Sequence, residues 1–191
     1  MRLPALALLL GCIALGGCMT VPIGSLIELN RVDFEHTDPE QLRAGVTTSA
    51  PVKPLANTEL SVTIQIGDVT KKKAFHLVEI AHGPEVDALT AAAAPGEAVY
   101  VYRLAPRDAE ALTLFRHEMF ALKAGGGSGT LTIAIDPAVC AKKELGTGPL
   151  RASTWLRTEE TSGFVELTRD IDLRRVMGAA RIPRCAANDR R

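Results

Sequence analysis

The sequence predicts a mainly β fold, an antiparallel β-sandwich of immunoglobulin-like type, with one amphipathic helix at about residues 106–124 as a crossover or lid. Three observations carry that expectation. Apolar and polar residues alternate over about seven short stretches, glycine- and proline-containing segments separate those stretches, and the 3.6-residue spacing of a helix recurs convincingly once. No internal repeat is present, and residues 26–187 read as a single domain, followed by a short disordered tail at 188–191.

In chain order, Leu26 to His36 reads as a first strand whose phase slips at Asn30-Arg31, as a β-bulge would cause. Thr37 to Leu55 is rich in Pro, Thr, Ser and Ala and reads mostly as connection, with a helical turn at Pro39 to Arg43 that Asp38 can cap. Thr58 to Ile66 is the cleanest strand, because Leu60, Val62, Ile64 and Ile66 alternate with Ser61, Thr63 and Gln65. A turn from Gly67 to Lys73 leads to a returning strand at Ala74 to Ala81. Residues 82–96 form a loop with at most a weak helical signal, and Ala98 to Leu104 reads as a central strand.

Pro106 to Ala124 is the helix. Leu112, Phe115, Met119 and Leu122 make its apolar stripe, while Arg107, Glu110, Arg116 and Lys123 supply its polar surface. Pro106 suits its first position and Asp108 its positive end; Gly125 to Gly129 ends it. Strands follow at Leu131 to Ile135, at Ala152 to Arg157 carrying Trp155, and at Phe164 to Leu173. In the last of these Arg169 interrupts the inner parity, which calls for a carboxylate or carbonyl partner or else exposure at an edge. Tyr100 and Tyr102 share one strand face, suited to packing under the helix or to forming a contact ridge.

The leader carries the sharpest signal. Arg2 is followed by an uncharged run from Leu3 to Cys18, too short for the ~18–20 apolar residues that span a bilayer. Leu15-Gly16-Gly17-Cys18 resembles the lipobox of bacterial lipoproteins; Cys12, after Leu9-Leu10-Gly11, is a poorer match that leaves a hydrophobic segment of only eight residues. The resemblance covers the leader alone. It implies removal of residues 1–17, a diacylglycerol on Cys18, and a lipid-anchored tether over 18–25. Met19, in place of an aspartate at that position, favours the outer membrane by the same resemblance. Two or three acyl chains anchor stably where one does not, and the stretch from Met19 to Gly24 extends ~20–25 Å at most, so the domain is expected beside its membrane. An ordinary secretory leader is the alternative.

The 22 basic and 22 acidic residues balance, and no basic cluster marks a nucleic-acid surface. Lys71-Lys72-Lys73 reads as a solvated turn rather than a lipid-headgroup contact. Beyond the anchor, Cys140 and Cys185 are expected to form one disulfide in an oxidising compartment, against the alternatives of a reactive thiol or a metal ligand. His36, His76, His82 and His117 match no metal-binding spacing, so neither a metal nor a cofactor is expected. The Gly126-Gly127-Ser128-Gly129 loop follows a helix and precedes a strand, the reverse of the order that nucleophile elbows and phosphate-binding loops use. The Glu159-Glu160 loop reads as a solvated turn. The functional expectation is a non-enzymatic, lipid-anchored envelope protein that works through a protein partner or ligand recognition. Two alternatives stand beside it, an envelope hydrolase with a dispersed site and a purely structural lipoprotein.

Overall fold

The computed structural model describes residues 25, 29–123, 129–178 and 182–186. The leader, Cys18 and nearly all of the tether, most of the glycine loop and the 188–191 tail lie outside these residues.

The best-alternating sequence makes the first hairpin. β3 (Glu59–Ile66) turns through Gly67-Asp68 into β4 (Val69–Ile80), with Ile66 opposite Val69 and Gly67 at φ 55°, a left-handed conformation that glycine adopts without steric cost. The turn is therefore two residues long. Lys71, Lys72 and Lys73 stand on the strand and not in a turn. Val69–His76 pair with β3, whereas Leu77–Ile80 pair with β5 (Glu97–Leu104). A strand that passes from one neighbour to another in this way lets a sheet fold over on itself.

Beyond β5 lie β1 (Arg43–Ser49), β8 (Arg151–Arg157) and β9 (Val165–Asp172); beyond β3 lies β6 (Gly129–Asp136). The sheet order is β6-β3-β4-β5-β1-β8-β9, with every pairing antiparallel. The mainly β, antiparallel expectation holds. Seven strands are not shared out between the two facing sheets of a sandwich, however, but run in one nearly closed sheet. β2 (Val52–Pro54) and β7 (Val139–Ala141) form a small ribbon of their own.

One core joins the two halves of the curled sheet: Leu60, Val62 and Ile135 from β3 and β6 share a cluster with Val46, Leu156 and Leu167 from β1, β8 and β9. A smaller cluster of Val52, Val139, Leu150, Leu173 and Ile182 lies under the ribbon. There Cys140 and Cys185 are bonded, as expected, across a sequence separation of 45. The Cys185 N–H also donates to Ala141 O at 3.0 Å, so the tail lies against β7.

Several sequence expectations need correction. Residues 29–41 form successive turns and no strand, because Asp33 draws the local backbone inward: its carbonyl accepts from the His36 and Thr37 N–H groups and its carboxylate from the Glu35 N–H. The supposed connection at 37–55 contains β1, a central strand buried on both faces, whose Ala, Gly and Thr residues hide it from a search for large apolar alternation. The 82–96 loop contains helix α1 (Pro84–Ala92), and a short helix α3 (Leu173–Met177) follows β9.

The expected helix is present as α2 (Pro106–Lys123), crossing from β5 to the far edge strand β6 and packing on β3 and β4. Its inner stripe is Ala109, Leu112, Phe115 and Met119, with Phe115 edge-on to Phe75 at 6.1 Å. Two assignments on it reverse: Leu122 is exposed and Arg116 is buried.

Candidate functional site

A sheet that nearly closes leaves a cleft along the gap. Here the gap lies between β6 on one side and β8, β9 and α3 on the other, and it opens a cavity of about 740 Å³, within the roughly 300–1,000 Å³ of ligand sites. Side chains of a strand alternate between its faces, so a surface that covers a strand's face meets every second residue. That is how β8 meets the cleft, through Ala152, Thr154 and Leu156. β6 meets it through every residue from Leu131 to Asp136, so the cleft runs along the edge of this strand.

The remaining walls are apolar too. Leu29, Val32 and Phe34 come from the segment before β1, and Leu173, Val176 and Met177 from α3. Thr154 and Thr168 hydroxyls face each other at 2.8 Å, one donating to the other, so together they leave one hydroxyl hydrogen to donate elsewhere. Asp136, at the end of β6, is the one charged residue among the described lining.

The Phe34 wall is held from beneath by Arg116. Its Nη1 donates to Phe34 O at 2.9 Å and to Thr37 O at 2.5 Å, and its guanidinium lies 5.6 Å from the centre of the Phe34 ring. Burial lowers the Arg116 pKa, opposed by the nearby carboxylates of Asp38, Asp33 and Glu160. The guanidinium thus takes the place of the strand ladder that residues 29–37 do not form.

The Glu159-Glu160 loop completes this clamp and is not a free, solvated turn. Glu159 accepts from the Asp38 N–H at 3.1 Å, and Glu160 accepts from the Thr37 hydroxyl. Burial raises the Glu160 carboxyl pKa, but the nearby Thr158 hydroxyl and the hydrogen bond from Thr37 outweigh it and hold the group below its ordinary value. Arg169 finds its partner in Glu166, at 2.6 Å, while remaining exposed on the edge strand. Both halves of that expectation are met.

The four histidines are exposed and stand apart from the cleft. His36 bonds Asp33 at 2.8 Å and His76 lies 3.4 Å from Glu59. No group of His, Cys, Asp and Glu is arranged to hold a metal among the described residues. Tyr100 and Tyr102 are buried in the main core together with the stripe of α2; burial pushes the Tyr102 hydroxyl well above its ordinary pKa.

The cleft residues went unrecognised in the sequence. Leu131, Ile133 and Ile135 were legible as a strand, but nothing local says that the strand ends a sheet, and Val176 and Met177 carried no signal at all. No protein-family model, curated protein or solved structure matches the chain.

Proposed function

We propose that the chain is a lipid-anchored envelope protein, tethered through lipid on Cys18 to the outer membrane, whose domain recognises an apolar ligand in the cleft without transforming it. The two halves of the curled sheet act in this reading as the layers of a sandwich left open along one side. The observation that carries it is the 740 Å³ cleft and its walls. Each methylene transferred from water into such a site contributes ~0.8 kcal/mol, so an apolar ligand of modest length binds without any charged anchor. Among the described residues no helix is long and apolar enough to cross a membrane, and the lipobox resemblance supplies the attachment.

Two measurements test the two halves of this reading. A hydrophobic fluorophore such as N-phenyl-1-naphthylamine should bind the full chain with a saturable signal, and Val176→Asp, a change at an exposed position of the cleft wall, should weaken it about tenfold. A signal that is indifferent to that substitution counts against the cleft. Metabolic labelling with an alkyne-bearing fatty acid should tag the wild-type chain and not Cys18→Ala; equal labelling of both would remove the anchor.

A further inference from the structure

The two outermost strands, β9 and β6, and the Val69–His76 stretch of β4 are among the parts of the sheet that pair on one side only, and their chemistry differs. β9, the last strand on one side, carries Glu166, Arg169, Asp170 and Asp172, with register shifts against β8 and Asp170 at φ 52°. The Val69–His76 stretch of β4 carries Lys71, Lys72 and Lys73. Charges and irregular register are how β proteins prevent an open edge from pairing with another chain. β6, the last strand on the other side, has a regular register and a charge only at its end, Asp136: Thr130 to Ile135 reads Thr-Leu-Thr-Ile-Ala-Ile, and the pairing with β3 runs unbroken through eight pairs.

The unguarded edge also runs along the cleft, which meets every residue from Leu131 to Asp136. Alternate residues of an antiparallel edge strand direct their N–H and C=O groups outward, and outside the β3 ladder no residue of β6 makes a backbone hydrogen bond among the described residues. A hydrocarbon filling the cleft would cut those groups off from water and leave them unpaired, which is costly. An extended polypeptide would pair with them. The inner face of β8 and the apolar walls of α3 and Phe34 would meanwhile receive its side chains, the arrangement of strand addition to a sheet edge.

The geometry points to β6 as an acceptor for a strand from another protein: an extended, uncharged segment with alternating apolar side chains adds to the β6 edge and fills the cleft. This deepens the apolar-ligand reading and rests on it, by naming a polypeptide where that reading requires only an apolar ligand. A second whole copy of the chain is disfavoured because the acceptor edge lies along a cleft of single-ligand volume.

The experiment uses the full chain in lipid nanodiscs and three probes: a lysine-flanked peptide of alternating threonine and valine, the same peptide N-methylated at every threonine and valine amide, and 1-dodecanol. The parent peptide should bind and slow hydrogen exchange of β6 amides between 130 and 136 at least tenfold, with the methylated peptide binding at least tenfold more weakly. Leu131→Lys, at a residue 41% exposed in the chain alone, should abolish peptide binding while leaving thermal unfolding near that of the wild type. Equal affinity for the methylated peptide overturns the strand proposal. So does dodecanol binding without peptide binding, which leaves the apolar-ligand reading intact; binding of neither probe removes both. β6 amides already protected in the chain alone would mean that the edge is occupied by a second copy or by another segment of this chain, and would likewise overturn it.

Discussion

Gly45 sits opposite Trp155 on β1, under helix α1. A Cβ there would lie 2.6 Å from Leu89 Cδ2 and 3.0 Å from Trp155 Cβ, and Leu89 is fully buried and has little room to yield. Gly45→Ala should therefore destabilise the fold by about 1–3 kcal/mol, read as an earlier urea midpoint with an unchanged slope. Arg116→Leu should cost about 3 kcal/mol, because it strands the carbonyls of Phe34 and Thr37; hydrogen exchange should then speed up across residues 33–37 and not across β1. The Asp33 hydrogen bond raises the His36 pKa, and the same bond lowers that of Asp33. What the raised histidine contributes is complete below about pH 6.5 and is lost as pH rises through its folded pKa. What the lowered aspartate contributes is present above about pH 4 and is lost as pH falls through its own. The pair is thus strongest between those limits. Asp33→Asn should move the His36 titration midpoint downward by NMR, and an unmoved midpoint would show the bond to be absent in solution. Arg116 also marks a limit of reading residues singly: helical spacing assigned it to the polar surface, and only the carbonyls of a distant turn explain its burial.

At the scale of elements, alternation identified β3, β5 and β6 because each has large apolar residues at every second position. β1 escaped because a strand buried on both faces by small residues and threonines has no such contrast; its identity as a strand comes from β5 and β8 on either side. α1 escaped because a single residue, Leu89, anchors it. The β2–β7 ribbon is too short to signal itself and depends on its surroundings, among them the Cys140–Cys185 bond that holds residues 182–186 against β7. Replacing both cysteines with alanine should lower stability by about 4 kcal/mol on the chain-entropy account of a loop of this length. Limited proteolysis should then cut the tail first, while the main sheet, whose core is separate from the cluster under the ribbon, unfolds at a lower temperature but still cooperatively. Cleavage at equal rates in both proteins would show that the bond does not secure the tail.

For the molecule as a whole, the sequence by itself determined the mainly β class, a hairpin that follows the strand ending at Ile66, the helix from Pro106, the pairing of the two cysteines and the resemblance of the leader to a lipoprotein signal. These rest on local periods, on turn residues, or on an even cysteine count, and each can be read within a window of a few residues or from composition. Tertiary structure alone decided that β4 passes from β3 to β5, that seven of the strands join in one nearly closed sheet, and that β6 is left at its edge. Those facts depend on which strands meet across long stretches of chain, and the free energy that selects the partners comes from side chains far apart in sequence. The cleft follows from them. Leu131 and Ile133 look the same in sequence as the core residues Val62 and Ile64, and they differ only because their sheet has a neighbour on one side and an apolar space on the other.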